Sequence, residues 1–124
     1  MLPKAHRLTR SGEYARVRRD GRSQAHPLLI LASAPNGGEV TRVGLAVGTK
    51  IGSAVVRNRV KRLLREAVRA RLDLLPRGYD VVLIARREAA AAGLRDVAAA
   101  LDSVLRRARL HVRSEAGVGT EAMR

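Results

Sequence analysis

Apolar residues along this chain fall into two helical stripes and three denser runs, with glycine and proline marking the breaks between them. Val56, Val60, Leu63, Leu64 and Ala67 recur at helical spacing, as do Leu94, Val97, Leu101, Val104 and Leu105. The first stripe predicts a helix entered through Gly48 to Ser53, running to about Leu75 and stopped by Pro76-Arg77-Gly78. The second predicts a closing helix from Leu94 to about Leu110. A shorter helix is expected ahead of both: Ser11 can cap it, Glu13 suits its first turn, and Asp20-Gly21 end it. Leu28 to Ala34 reads as a strand, Pro35-Asn36-Gly37-Gly38 as a turn, and Arg42 to Gly48 as a second strand with Val43, Leu45 and Val47 alternating. These two strands are expected to form a hairpin. A third strand, Tyr79 to Ala85, has the apolar density of a strand covered on both faces.

The order helix, strand, strand, helix, strand, helix, with room for one extra short strand, predicts an α/β class fold. It is a single-domain α/β sandwich in which helices pack on a small mixed sheet. Residues 1 to 10 form a basic arm with Leu8 as its anchor on the core, and the domain is expected over residues 1–112. The small, polar stretch that follows, residues 113–124, loses the pattern and is expected to be disordered. Its 124 residues suffice for one domain with one modest core.

Charge changes this picture most where the first apolar stripe runs. On a helix at about 100° per residue, Arg57, Asn58, Lys61, Arg62, Arg65 and Arg69 share one arc opposite the apolar one. Packing of the apolar arc therefore turns the basic arc outward. A face serving solubility alone mixes signs to gain i,i+4 pairs, whereas Arg57, Lys61, Arg65 and Arg69 repeat one sign down successive turns. Arg59 lies near the edge of the apolar arc, placed either for a second contact or to snorkel. A formal net charge of +14 exceeds what solubility needs and predicts a phosphate-rich polymer as partner.

Other chemistries find little support. The chain has no cysteine, so disulfides, thiolate chemistry and Cys-based zinc sites are excluded, and His6, His26 and His111 are scattered. No metal site built by the protein is expected. Eleven acids are dispersed along the chain, without the clustered carboxylates that hold paired metals for phosphodiester hydrolysis, and no catalytic residue is expected among them. No apolar run approaches the roughly 20 residues of a spanning helix, and the N-terminus lacks a signal-peptide core of about 7–15 apolar residues. Neither a membrane nor a secretory route is expected, and the predicted location is the cytoplasm.

The run Lys50 to Glu66 closely resembles the arginine-asparagine-arginine signature of the bacterial ribonuclease P protein subunit, with Gly52, Ala54-Val55, Arg57-Asn58-Arg59, Lys61-Arg62 and Arg65 in pattern. The resemblance continues in order through His6-Arg7-Leu8, Tyr14 and Val17, Pro27 to Leu31, Arg42 to Val47, and Pro76 to Arg86, covering about residues 6 to 110. It implies a ribosomal-protein-like fold with an unusual left-handed βαβ crossover through the signature helix. The general rule, under which about 98% of such crossovers are right-handed, predicts the opposite. It also implies an accessory subunit of a ribozyme that removes the 5′ leader from precursor tRNA. Catalysis and Mg²⁺ would then belong mainly to the RNA and substrate.

Carried over residue by residue, the resemblance assigns Lys50, Arg57, Asn58, Arg59, Lys61, Arg62 and Arg65 to the catalytic RNA; the basic arc adds Arg69. Arginine suits such contacts because its planar fork bridges phosphate oxygens and stacks on bases, and Asn58 offers both donor and acceptor. The other reading of Asn58 is a local backbone cap. For the leader, the resemblance assigns Tyr14 and Arg18. This chain departs from the family there: it has no Phe, no Trp and two Tyr, with Arg18 replacing a second helical aromatic and Ala32 a strand position that is often Tyr. Tyr14 is read either as a stacking platform or as a half-buried core residue, and Tyr79 as structural. The partners implied are ribonuclease P RNA and precursor tRNA, without DNA. A general or ribosomal RNA-binding protein is the alternative.

Overall fold

The computed structural model describes residues 6–8 and 11–110; of these, the side chain of Ser11 is not described. The expected cap at Ser11, His111 and the tail 113–124 therefore lie outside the described residues. Helix α1 spans Ser11–Asp20, strand β1 Arg22–Ala25, β2 Leu29–Pro35 and β3 Arg42–Ala46. Helix α2 spans Ala54–Arg69, β4 Tyr79–Ala85 and α3 Leu94–Arg107. Short 3₁₀ turns at Thr49–Ile51, Leu72–Leu74 and Arg87–Ala91 join them.

The four strands form one mixed sheet in the order β1-β2-β4-β3. The expected hairpin between β2 and β3 does not form. Strand β4 lies between them, antiparallel to β2 with Ala32 opposite Val82, and parallel to β3 with Gly44 opposite Val82. The predicted turn is real, but it docks elsewhere: Asn36 N–H donates to the Gly78 carbonyl at 2.8 Å, at the entry to β4. Gly78 has φ +83°, and a Cβ there would crowd the Gly38 carbonyl, so glycine lets the two turns approach. The open place between β2 and β3 is thereby filled by a strand with four consecutive buried residues, Asp80 to Leu83.

Alternation along the strands divides the core in two. Leu29, Leu31, Val43, Val81 and Leu83 face one side, where Val60, Leu64 and Val68 of α2 and Val97, Leu101, Val104 and Leu105 of α3 cover them. Ala32, Ala34 and Val82 face the other side, beneath Val17 of α1 and Leu8. Each fully buried Leu or Val contributes roughly 1.5–3 kcal/mol relative to exposure. The anchoring role expected for Leu8 is seen: its N–H donates to the Val43 carbonyl at 3.0 Å, while Arg7 bridges to Val43 in parallel.

Helix α2 is shorter than its periodicity predicts. It ends at Arg69, because Arg71 leaves helical geometry and folds back, donating to the Ala67 carbonyl at 2.8 Å. Arg71 also grips Asp102 of α3 at 2.6 and 3.1 Å. That pairing takes Leu72 to Leu75 out of the helix and ties its end to the neighbouring helix.

Candidate nucleic-acid interface

Ser53 caps the N-terminus of α2, its hydroxyl accepting from the Val56 N–H at 3.4 Å. The cap is thus filled before Asn58, which stands exposed inside the helix. Burial of Val60, Leu64, Ala67 and Val68 fixes the rotation of α2 and turns Asn58, Arg62 and Arg69 fully outward, with Arg57, Lys61 and Arg65 half-buried along the border. Lys50, on the 3₁₀ turn ahead of the helix, is exposed.

Among the described residues, no ion pair uses Lys50, Arg57, Lys61, Arg62 or Arg65, while four acids pair with other arginines. Glu13 pairs with Arg42, Asp80 with Arg16 and Arg42, Asp102 with Arg71, and Asp20 with Arg19. Arg69 is the exception on the arc: Glu66, one turn back, holds it at 2.8 Å on the exposed surface. The Nε of Arg57 is buried and lacks a hydrogen-bond partner among the described residues. The arrangement is an uncompensated cationic strip, with donors free for phosphate oxygens.

Arg59 differs from its neighbours. Its two terminal nitrogens donate to the carbonyls of Ala90 at 2.9 Å and Ala92 at 2.6 Å, inside the protein. The residue takes the internal contact that its place at the edge of the apolar arc allowed.

Tyr14 and Arg18 lie across the sheet from α2. The Tyr14 ring packs over Gly44, where a Cβ would overlap it, and its hydroxyl donates to the Leu8 carbonyl at 3.0 Å and accepts from the Leu45 N–H at 3.1 Å. Burial pushes its hydroxyl pKa up, more than the Leu45 bond lowers it, so the phenol remains a donor. These contacts support the half-buried core reading. Next to it, Ile30, Ile84 and Ala46 form a half-exposed apolar row across three strands, with Ile84 opposite both Ile30 and Ala46. Ala32 is buried one row further in. Arg18 stands exposed one turn after Tyr14. The site residues therefore form two sets on opposite faces of the sheet, with Lys50 following the β3 edge between them.

No pattern along the chain marks the group that seats α1. Asp80, wholly buried, accepts from Arg42 Nε and Nη2 at 2.9 and 2.8 Å, from Arg16 at 2.8 Å and from Asn36 at 2.9 Å. Burial alone would raise its pKa, but the bonds from Arg42, Asn36 and Arg16 hold it below the usual carboxylate range. Glu13 and Arg16 flank Tyr14, so this network also sets the helix that carries Tyr14 on the sheet.

The family model described as Ribonuclease P matches residues 2–109. The chain belongs to the ribonuclease P protein family. It is 37% identical over 115 residues to the ribonuclease P protein component of Caldanaerobacter subterraneus subsp. tengcongensis, covering 93% of this chain and 99% of that one. It is 44% identical over 90 residues to that of Roseiflexus castenholzii, covering 73% and 74%. The structure resembles the Staphylococcus aureus RNase P protein with TM-score 0.81, at 27% identity, covering 88% of this chain and all of that one. For the Thermotoga maritima protein the TM-score is 0.74, at 28% identity, covering 82% and 96%. The α/β fold is that of RNase P proteins. Family membership implies a part in an endoribonuclease complex that works with an RNA subunit.

Two further properties bear on the site. Among the described residues, no helix is long and apolar enough to cross a membrane. No three His, Cys, Asp or Glu side chains among them gather into a group that could hold a metal ion.

Proposed function

We propose that this protein binds the catalytic RNA of ribonuclease P and the 5′ leader of precursor tRNA, and assists endonucleolytic removal of the leader. The observation that carries the proposal is the cationic strip on α2 in a member of this family: Lys50, Asn58 and Arg62 are exposed, Arg57, Lys61 and Arg65 lie half-buried beside them, and among the described residues no acid pairs with these cations. Arg69 joins them at the cost of sharing Glu66. The strip fits a structured phosphate backbone, and Asn58 can read a base edge or 2′-hydroxyl.

The leader belongs, on this reading, to the opposite face, along the apolar row Ile30, Ile84 and Ala46 beside Tyr14 and Arg18. Tyr14 is held over Gly44 by two hydrogen bonds and is not a free platform, and Arg18 supplies charge, so leader binding leans on electrostatics more than on stacking. Mg²⁺ is held by the RNA and the substrate, and the bond-breaking chemistry is theirs. The protein lowers the electrostatic cost of bringing two polyanions together and aligns the leader. It works where its RNA is, in the cytoplasm.

The test is competition binding at matched salt between a bacterial ribonuclease P RNA, precursor tRNA with and without its leader, and duplex DNA. The proposal expects structured RNA to win over duplex DNA, and the leader to add affinity. Equal affinity for leader-bearing and mature tRNA would favour a general RNA-binding protein, and a preference for duplex DNA would refute the proposal.

A further inference from the structure

The segment after β4 ends in four consecutive alanines, Ala89 to Ala92, whose small side chains let it lie close to α2 and to the 3₁₀ turn at Thr49–Ile51. Ala89 and Ala92 are buried, and the N–H groups of Ala89 and Ala92 close the turn on the carbonyls of Arg86 and Ala89 at 2.9 and 3.1 Å. A 3₁₀ turn leaves its last carbonyls without internal partners, and alanine offers no side chain to help. Arg59 fills that need from the second turn of α2, giving one terminal nitrogen to Ala90 and the other to Ala92. The rigid guanidinium fork spans two carbonyls as a lysine could not. The same segment carries Arg86 and Arg87, both exposed, and the Arg86 N–H is fixed to the Leu28 carbonyl at 2.9 Å.

We infer that Arg59 is a positioning residue and not an RNA ligand: it braces the segment 86–92 against α2 and so holds Arg86 and Arg87 at a set distance from the cationic strip. The resemblance assigns all three members of Arg57-Asn58-Arg59 one role. The geometry divides them: Asn58 is exposed, Arg57 keeps a buried donor without a partner, and the terminal nitrogens of Arg59 are taken up by backbone. The functional half of this inference rests on the RNA-binding reading above, while the brace itself is testable in the free protein.

The experiment compares Arg59→Met, which keeps the apolar stem, with the wild-type full chain. Amide hydrogen exchange in the free protein should quicken roughly tenfold or more at Ala89 and Ala92, for loss of charge-assisted bonds, with the sheet, α2 and α3 unchanged. Affinity for a bacterial ribonuclease P RNA transcript should fall several-fold with the slope of log affinity against log salt unchanged. That loss should shrink in an Arg86→Ala, Arg87→Ala background, since the brace acts through those residues. Unchanged exchange at Ala89 and Ala92 would overturn the inference. So would a salt slope reduced by about 0.7–0.9, the signature of one lost phosphate contact, with the loss persisting in the double-substituted background. If Arg59→Met does not fold, Arg59→Lys keeps the charge but cannot span both carbonyls, and the exchange readout decides in the same way. Failure of the wild-type chain to bind the transcript would defeat the proposed function and leave the exchange result to judge the brace.

Discussion

Arg42 and Asp80 sit directly opposite each other on parallel strands β3 and β4 and join through two hydrogen bonds, Nε to Oδ1 at 2.9 Å and Nη2 to Oδ2 at 2.8 Å. The third nitrogen of Arg42 reaches Glu13 on α1 at 2.8 Å, and Arg16 comes down from the same helix to Asp80. A single buried carboxylate thus joins two strands, the Asn36 turn and the helix that carries Tyr14.

Asp80→Asn should destabilise the fold by about 2–3 kcal/mol, because the new buried amide turns donors toward the guanidinium donors of the partly exposed Arg16 and Arg42 and leaves their charge uncompensated. Equilibrium denaturation at neutral pH measures it. A change within about 0.5 kcal/mol, typical of surface substitutions, would show that the network is not holding α1 down.

The same group sets the response to acid. Asp80 and Asp102 both have folded-state pKa values lowered by their arginine partners, so the unfolded chain binds more protons than the folded one in this range. Stability is fully present above the ordinary carboxylate pKa of about 4 and is lost as pH falls through the lower folded values. Denaturation midpoints should therefore decline steadily below about pH 5, and Asp80→Asn should flatten that decline.

Tyr14→Phe removes a hydroxyl that serves the Leu8 carbonyl and the Leu45 N–H, and should cost about 1–2 kcal/mol while leaving the ring in place. Gly44→Ala drives a Cβ into that ring and should cost about 1–3 kcal/mol. Thermal unfolding reads both. Tyr14→Ala should weaken binding of leader-bearing precursor more than of mature tRNA; an equal loss for the two would remove Tyr14 from the proposed leader site.

Arg62→Ala with Arg65→Ala should leave stability within about 0.5 kcal/mol, since neither side chain is paired or in the core. RNA affinity should fall, and its salt slope should drop by roughly 0.7–0.9 for each phosphate contact removed. Loss of affinity through partial unfolding would instead shift the melting transition.

The rotation of α2 was legible in the sequence because one stripe of Val and Leu decides it, and the basic arc follows from the same periodicity. Its end was not legible: Arg71 reads as one more arginine of a basic helix until Asp102, distant in sequence, is placed beside it. Pairing of β2 with β3 followed from the turn signal between them, yet the apolar run Val81-Val82-Leu83 gains more from burial on both faces than it would at an edge. β1 is short and mostly exposed, so it carries no alternation to detect. Asp80 looked like one dispersed acid among others, because its four hydrogen bonds come from residues up to 64 positions away. Arg59 showed its departure from the basic arc, but the carbonyls it reaches belong to an alanine run without a polar side chain to mark it.

The most direct test of the account is 5′-leader cleavage of a precursor tRNA at low magnesium by a bacterial ribonuclease P RNA, with and without this protein, across a salt series. The protein should restore cleavage, and the rescue should weaken steeply with salt, by roughly 10³ in affinity between 50 and 200 mM if about six phosphates are engaged. Tight binding of the RNA without restored cleavage would contradict it and leave a general RNA-binding protein in its place.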